Sequence, residues 1–318
     1  MKPLLANRLA FAYLATVVAA FIVLALLGAL IGGFQGALLA AQGASQGASQ
    51  EEIVRIVMER IDKMSDDLFH VAMAITMALL AFWIYRRYVV RWADVIRWRA
   101  AKLNDAAEIS GWILLFGLGF TLFVGWIIPQ EYIQEISGYY QAQTPWGRLA
   151  LVLSVGLLAP LLEEWIFRGF MLQSYARRKG TTFALFAQAL VFSMVHGEPF
   201  AAAGALFFGW ILGRWVLAGG LLTSAFWAHA LNNLLSLAGM AYGIPYLRPD
   251  TPAAAPLGLF GLVLAVFVLL QVARRTPYAE RPAEEPGPVL SGSLVLVLFI
   301  SVFLFVENFG KFLSITQG

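Results

Sequence analysis

Apolar residues along the chain fall into nine long runs that are separated by short polar segments. The runs cover approximately residues 9–34, 68–85, 109–128, 149–172, 181–196, 201–217, 221–241, 256–273 and 289–307. A helix of about 17–25 apolar residues crosses the hydrocarbon core of a bilayer, and most of the runs have this length. The pattern predicts an all-α, polytopic transmembrane helical bundle with about eight or nine spans. The fifth and sixth runs are short, so a re-entrant pair is the alternative for them.

The composition agrees with a membrane protein and excludes a soluble domain of this size. Of the 318 residues, 60% are hydrophobic and 13% are charged, and the mean hydropathy is +0.75. Typical soluble domains contain about 45–50% apolar and about 25% charged residues. The chain contains no cysteine, which excludes a thiolate nucleophile, a disulfide and a cysteine-bound metal.

Positive residues are distributed unevenly between the polar segments. Fifteen of the 22 Lys and Arg residues lie in segments on the same side as the N-terminus, six lie in the other segments, and Arg168 lies within a run. Because cytoplasmic segments carry the excess of Lys and Arg, we expect a multi-pass protein of the cell membrane with a cytoplasmic N-terminus. The basic residues follow this topology and no phosphate-binding motif is present, so we expect no nucleic-acid partner.

The polar segments divide the chain into three parts. These are N-terminal transmembrane segments at 1–144, a candidate catalytic membrane core at 145–245, and C-terminal transmembrane segments at 246–318. The first part contains an extracytoplasmic linker at 36–67 and a basic cytoplasmic segment at 86–108. The sequence does not predict the oligomeric state.

Three of the polar segments have a predicted structure but no chemical motif. The linker contains a Gly-Ala-Ser-Gln repeat and then an amphipathic stretch, so we expect flexible chain followed by a surface helix. Residues 86–104 contain five arginines and two tryptophans, which is typical of a basic interfacial helix. The Pro- and Glu-rich residues 276–288 are predicted to form a loop.

Two adjacent glutamates and an arginine interrupt the fourth run. Glu164 and Arg168 are four residues apart, so a helix places them on one face, where they can form an ion pair. Glu163 is rotated by about 100° from that pair and has no obvious local partner. Ionisable groups in a membrane core are costly and indicate a functional site by default. We expect Pro160 to bend this helix at a similar depth.

Two later runs carry the remaining polar groups. The segment Phe192-Ser-Met-Val-His196 ends the fifth run. His229 and Asn233 share one face of the seventh run because they are four residues apart. At a rise of about 1.5 Å per residue, Glu163, His196 and His229 all fall at middle depths of a core about 30 Å thick. We therefore expect three helices to direct polar groups into one cavity.

These residue types are suited to hydrolysis of a peptide bond without a covalent intermediate. A carboxylate in apolar surroundings is a stronger base than in water, so Glu163 could activate a water molecule, with His196 helping to position it. His229 and Asn233 could donate hydrogen bonds to the oxyanion of a tetrahedral intermediate.

The motifs Glu-Glu-x-x-x-Arg, Phe-x-x-x-His and His-x-x-x-Asn, in this order on successive runs, resemble the CAAX-protease and bacteriocin-processing family. This family is also called the Abi or type II CAAX prenyl endopeptidase-like family. The resemblance covers about residues 145–240. It implies an intramembrane glutamate endopeptidase without a metal or other cofactor, whose peptide or protein substrate enters from the membrane or the cytoplasm.

The resemblance also implies a role for each matching position. Glu163 would activate the water with His196 as its partner, and the oxyanion site would consist of His229 and Asn233. Supporting roles would fall to Glu164 and Arg168. Eukaryotic members remove the last three residues of prenylated proteins, whereas prokaryotic members include non-proteolytic scaffolds and bacteriocin-immunity proteins.

Four other interpretations remain open at this point. Glu163, His196 and His229 are also a possible ligand set for a catalytic zinc ion, although the sequence lacks His-Glu-x-x-His. Intramembrane charges also occur in proton-coupled transporters, although the chain shows no pair of repeated halves. A non-proteolytic scaffold or immunity protein would retain the same residues. Finally, polar groups can simply hold transmembrane helices together.

Overall fold

The computed structural model describes residues 3–46, 49–138, 140–241 and 251–317, and every regular element within these ranges is a helix. The α-helices are α1 (Pro3–Gln46), α2 (Gln50–Ile84), α3 (Val90–Trp92), α4 (Leu103–Ile127), α5 (Gln130–Gly138), α6 (Pro145–Leu151), α7 (Ala159–Glu163), α8 (Leu172–Lys179), α9 (Thr181–Met194), α10 (Pro199–Leu217), α11 (Leu222–Ala241), α12 (Ala254–Arg275) and α13 (Gly292–Gln317). Three π-helical segments join some of them, at Tyr85–Val89, Val152–Leu158 and Glu164–Met171. The prediction of an all-α fold is confirmed.

Seven helical stretches among these residues are long and apolar enough to cross a membrane. They are Pro3–Ala20, Asp66–Trp92, Leu103–Ile127, Pro145–Lys179, Pro199–Leu217, Ala254–Arg275 and Gly292–Thr316. Two predicted runs correspond to other helices. One is α9, which has only 14 residues. The other is α11, whose histidine and two asparagines lower its hydropathy. The chain is a multi-pass membrane protein, with a span count close to the predicted eight or nine.

The flexible chain predicted for the start of the linker at 36–67 is wrong, whereas a helix after the repeat is present, as predicted. Residues 36–46 continue α1, and residues 50–67 form the first half of α2. Ser49 begins α2 by accepting a hydrogen bond from the backbone N–H of Glu52 at 3.2 Å. Residues 47 and 48 lie outside the described ranges, and α1 packs along α2.

The predicted basic interfacial helix at 86–104 is correct only at its start. The helical backbone ends at Trp92, and residues 93–102 form turns and irregular chain. Arg97 adopts a left-handed conformation with φ of 57°, and its carbonyl accepts a hydrogen bond from the N–H of Leu222 at 3.3 Å. The segment thus supplies an acceptor to the first turn of α11, which an uninterrupted helix could not do. Residues 276–288 form a loop, as predicted.

Small residues allow α4 and α12 to approach each other closely. A side chain at Gly119 of α4 would place its Cβ 2.7 Å from the carbonyl oxygen of Gly261 in α12, which is too short for any substitution. Small residues at such contacts are typical of membrane helix pairs, where packing rather than the hydrophobic effect drives association. This contact helps to fix α4, and α4 in turn packs against α11, which carries His229.

The helix that carries the two glutamates is widened on both sides of α7. Pro160 lacks an N–H group, and its ring crowds the carbonyl four residues earlier. The preceding turns respond by widening, so that the N–H of Ala159 bonds to the carbonyl of Ser154, five residues before it. A second π-helical segment starts at Glu164, and all eight of its residues are buried. Such segments occur frequently at functional sites.

Candidate functional site

The first part of the site is a buried ion pair within the second π-helical segment. Arg168 Nη1 donates to Glu164 Oε1 at 3.0 Å, as the four-residue spacing predicts, and both side chains are 0% exposed. The guanidinium carbon of Arg168 lies 4.0 Å from the centre of the Phe192 ring, a cation–π contact. Two buried charges without water require each other, because an unpaired one would be far more costly.

His229 joins this pair to the second glutamate. Its Nδ1 lies 2.9 Å from Glu164 Oε1, and its Nε2 lies 3.5 Å from Glu163 Oε2. The imidazole is buried and packs against the Phe208 ring at 4.7 Å between centres. We call Glu163, Glu164, Arg168 and His229 the glutamate cluster. The sequence predicted that these residues converge, although it did not predict that His229 contacts both carboxylates.

Glu163 has a second partner that the sequence analysis missed. The hydroxyl of Tyr13 on α1 donates to Glu163 Oε1, and the two side chains are only 7% and 6% exposed. The expectation that Glu163 lacks a local partner holds only within its own helix, since its partners lie 150 and 66 residues away. A single tyrosine in an apolar run carries no spacing signal that connects it to a distant carboxylate.

His196 lies at the edge of the site on a turn between α9 and α10. Its Nδ1 is 2.8 Å from the carbonyl oxygen of Phe192, one helical turn earlier, so Nδ1–H is the natural donor. The side chain is exposed, and it interacts electrostatically with Glu163 and His229 without a direct hydrogen bond to either among the described contacts. The predicted role requires a water molecule between His196 and Glu163.

Asn233 lies one turn beyond His229 on α11. Its Nδ2 donates to the carbonyl oxygen of Val155 at 3.0 Å, which ties α11 to the first π-helical segment. The carboxamide nitrogen carries two hydrogens, so one of them remains for a ligand. Asn233 is therefore placed beside the glutamate cluster and shares its face of α11, while its observed bond is structural.

Side chains of α5 and α13 hold the turn that carries His196. Glu198 caps α10 by accepting the N–H of Phe200 at 3.1 Å, and Tyr132 of α5 donates to the same carboxylate at 2.9 Å. Asn308 of α13 donates to the carbonyl of Gly197 at 3.1 Å. Gly197 has φ of 68°, which favours glycine. We call residues 195–198 the His196 turn.

No three His, Asp or Glu side chains are arranged as a metal site in the part of the chain that the structure describes. Within the proposed ligand set of Glu163, His196 and His229, both ring nitrogens of His229 already face carboxylates. His196 instead has its Nδ1 on the carbonyl of Phe192, so these three side chains do not form a three-residue metal site among the described residues.

A polar cavity of about 240 Å³ lies apart from the site. Its lining includes Arg97, Arg177, Arg281 and Glu284, and it contains none of the predicted site residues. These arginines come from segments that the charge distribution assigns to the cytoplasmic side. The ends of α8 and α10 also meet here, and cations are favourable at helix C-termini. The cytoplasmic location of these arginines and the two helix C-termini nearby account for the basic lining of this cavity.

A protein-family model matches the part of the chain that contains the predicted site residues. Residues 145–235, which are 91 of the 318 residues, match the family model described as type II CAAX prenyl endopeptidase Rce1-like. This match confirms the resemblance seen in the sequence and supports a membrane endopeptidase in general terms. It contains every predicted site residue and excludes Tyr13, Tyr132 and Asn308. No curated protein and no solved structure shows significant similarity to the chain.

Proposed function

We propose that the chain is an intramembrane endopeptidase in which Glu163 activates a water molecule to hydrolyse a peptide bond. The observation that carries this proposal is the convergence of His229 with both glutamates in the interior of a membrane bundle. Acid–base and oxyanion groups must lie within hydrogen-bond reach of one reacting carbonyl. The proposed site residues lie on three consecutive parts of the matched region, and the 3.5 Å contact between His229 and Glu163 supports a common site.

The reaction starts with proton transfer from water to Glu163. The water oxygen attacks the peptide carbonyl carbon as Glu163 takes one of its protons, and His196 orients the water through its free Nε2. The resulting oxyanion accepts hydrogen bonds from His229 and Asn233. When the C–N bond breaks, Glu163 returns the proton to the leaving amine nitrogen, which gives a carboxylic acid and an amine. The acid then gives up its proton to the amine, so the products are a carboxylate and an ammonium group.

Glu164 and Arg168 support this chemistry without touching the substrate. Glu164 accepts a hydrogen bond from His229 Nδ1–H, which fixes the orientation of the imidazole and leaves Nε2 to face Glu163. Arg168 lies beside Glu164, and paired charges are the less costly arrangement in a medium of low dielectric constant.

The substrate that best fits this location is a peptide segment at the membrane, such as the C-terminal tail of a prenylated or membrane-associated protein. The family description supports this choice for the matched region. We place the protein in the cell membrane with its N-terminus in the cytoplasm, because the Lys and Arg residues favour that side.

Cleavage of tail peptides by the purified protein in lipid vesicles tests the proposal. Prenylated and unprenylated peptides are compared with and without a zinc chelator, for the wild type, Glu163→Gln and Glu108→Gln. Glu108 is an exposed glutamate on α4 and serves as the matched control. We expect chelator-resistant cleavage that only Glu163→Gln removes.

Each other result contradicts a defined part of the proposal. Cleavage that a chelator stops and zinc restores would favour a zinc-dependent protease. Full activity of Glu163→Gln would exclude Glu163 as the base. If the wild type leaves both classes of peptide intact, a non-proteolytic scaffold or immunity role becomes the better account of the chain.

A further inference from the structure

The side chain of Tyr13 joins the site from a helix outside the family-matched region. Tyr13 lies on α1, and the match begins at residue 145. Its hydroxyl donates to Glu163 Oε1 in a buried contact between residues 150 positions apart. A buried phenol hydroxyl needs a hydrogen-bond partner, and Glu163 provides one for Tyr13.

This contact restrains the carboxylate at both of its oxygens. Tyr13 binds Oε1, and His229 Nε2 lies 3.5 Å from Oε2. A glutamate side chain with one free oxygen can rotate about its last bond, whereas one with both oxygens engaged holds a fixed plane. A general base must present a lone pair to the water at a fixed angle, and small losses of alignment reduce rates substantially.

The position of Tyr13 is itself fixed by contacts elsewhere on α1. Asn7 donates to the carbonyl of Val289 at 2.7 Å and to the hydroxyl of Ser291 at 2.9 Å. Tyr175 of α8 donates to Asn7 Oδ1 at 2.6 Å. Tyr13 lies about 9 Å further along the same helix, at a rise of about 1.5 Å per residue. α1 is therefore anchored to the core and to the segment before α13, and it brings the phenol to Glu163 from a rigid support.

We propose that Tyr13 is a positioning residue for Glu163, so that α1 completes a site which the matched region alone leaves unfinished. The inference rests on the proposed function, because it assigns Tyr13 a part in orienting the base. The hydroxyl does not touch the substrate in this account. It acts through Glu163, whose carboxylate it holds in the plane that the attacking water requires.

Tyr13→Phe tests this role because it removes the hydroxyl and keeps the ring and its packing. We expect kcat for tail-peptide cleavage to fall by about 10–100-fold, the range expected for a lost hydrogen bond to a charged group. KM should stay within about twofold of the wild type, since substrate binding is unchanged. The thermal unfolding midpoint in detergent confirms that the variant remains folded.

Tyr175→Phe is the matched control. It also removes one buried tyrosine hydroxyl, which bonds to Asn7 of α1, and it keeps the two bonds from Asn7 to Val289 and Ser291 that anchor the helix. We expect its kcat to stay within about twofold of the wild type. A merely structural role of Tyr13 predicts that both phenylalanine variants lose activity to a similar extent, in proportion to their loss of thermal stability.

Three results would overturn the inference. These are an unchanged kcat for Tyr13→Phe, a rise in KM alone, or an equal loss of kcat in Tyr175→Phe. Glu163→Gln, measured beside them, separates this failure from failure of the proposed function. Loss of cleavage in Glu163→Gln with normal Tyr13→Phe refutes only the positioning role, whereas normal cleavage in Glu163→Gln refutes the function on which that role rests.

Discussion

The glutamate cluster and the His196 turn contribute to one site, yet different kinds of contact hold them in place. In the cluster, side chains bind side chains in the bundle interior, and Glu164 and Arg168 are fully buried. In the turn, His196 is exposed, and its hydrogen bond goes to the backbone carbonyl of Phe192. The turn itself is fixed from outside, by Tyr132 and Asn308.

Because of this difference, we expect substitutions in the two regions to affect stability and activity differently. Removing one partner of a buried charge cluster leaves the other charges uncompensated, at a typical cost of about 3–5 kcal/mol. Removing an exposed side chain that binds one carbonyl leaves only a weak local effect. Substitutions in the cluster should therefore alter both folding and cleavage, whereas substitutions of His196 should alter cleavage alone.

The two histidines give the largest expected contrast. We expect His229→Ala and His196→Ala each to abolish detectable peptide cleavage, because each removes a group from the reaction. Only His229→Ala should also lower the thermal unfolding midpoint, since it removes the partner of two buried carboxylates. Cleavage and unfolding measured on the same purified samples test the pair. Equal losses of stability in both variants would show that the two regions do not differ in this way.

The buried ion pair gives the next largest effect, on stability. We expect Arg168→Met to destabilise the folded state by about 3–5 kcal/mol, because Glu164 then loses its cation in the interior. Arg177→Met is the control, because the exposed Arg177 lies 3.7 Å from an exposed Glu284 and such pairs contribute about 0–1 kcal/mol. Reversible unfolding in mixed micelles measures both. An Arg168→Met protein as stable as the control would mean that Glu164 is held by His229 alone.

Asn233 lies on α11 outside both regions, and its amide nitrogen has one structural bond, to Val155, and one hydrogen left for a ligand. We expect Asn233→Ala to lower kcat by about 10²–10³-fold, as for loss of one oxyanion donor. The lost bond to Val155 should cost only about 0.5–1.5 kcal/mol of stability. Ser236→Ala on the same helix is the control, because Ser236 is exposed and its hydroxyl donates to the backbone carbonyl of Asn232. If kcat falls no further than that stability loss implies, Asn233 is a structural residue.

The sequence predicted the parts of the site that depend on local spacing. Glu164 and Arg168 are four residues apart, so any helix pairs them, and the structure shows this pair. His229 and Asn233 follow the same rule on α11. The order of the three motifs predicted that their side chains converge, because successive spans can place polar groups at the same depth. Residue spacing thus predicted which side chains lie on the same face of each helix.

Contacts between distant segments could not be predicted in this way. Tyr13 reaches Glu163 across 150 residues, and nothing in the first apolar run distinguishes it from an aromatic residue that faces lipid. The start of α2, by contrast, follows a local sequence signal, because Ser49 and Glu52 form the Ser-x-x-Glu pattern of a helix N-terminus. The preceding Gly-Ala-Ser-Gln repeat led instead to a prediction of flexible chain. The turns at 93–102 depend on a bond from Leu222 that only the folded chain creates.

The smallest expected effect lies in the support of the His196 turn by α13. Asn308→Ala removes the hydrogen bond to the Gly197 carbonyl and leaves the glutamate cluster untouched. A neutral hydrogen bond of this kind contributes about 0.5–1.5 kcal/mol, so we expect kcat to fall by about 2–10-fold while the unfolding midpoint changes little. Glu307→Ala on the same helix is the control, because Glu307 is exposed and pairs with Lys311 of that helix at 3.9 Å. A loss of kcat in Asn308→Ala that exceeds the control would show that a C-terminal helix outside the family-matched region adjusts the position of His196. Equal activity in the two variants would mean that Glu198 and Tyr132 suffice to hold the turn.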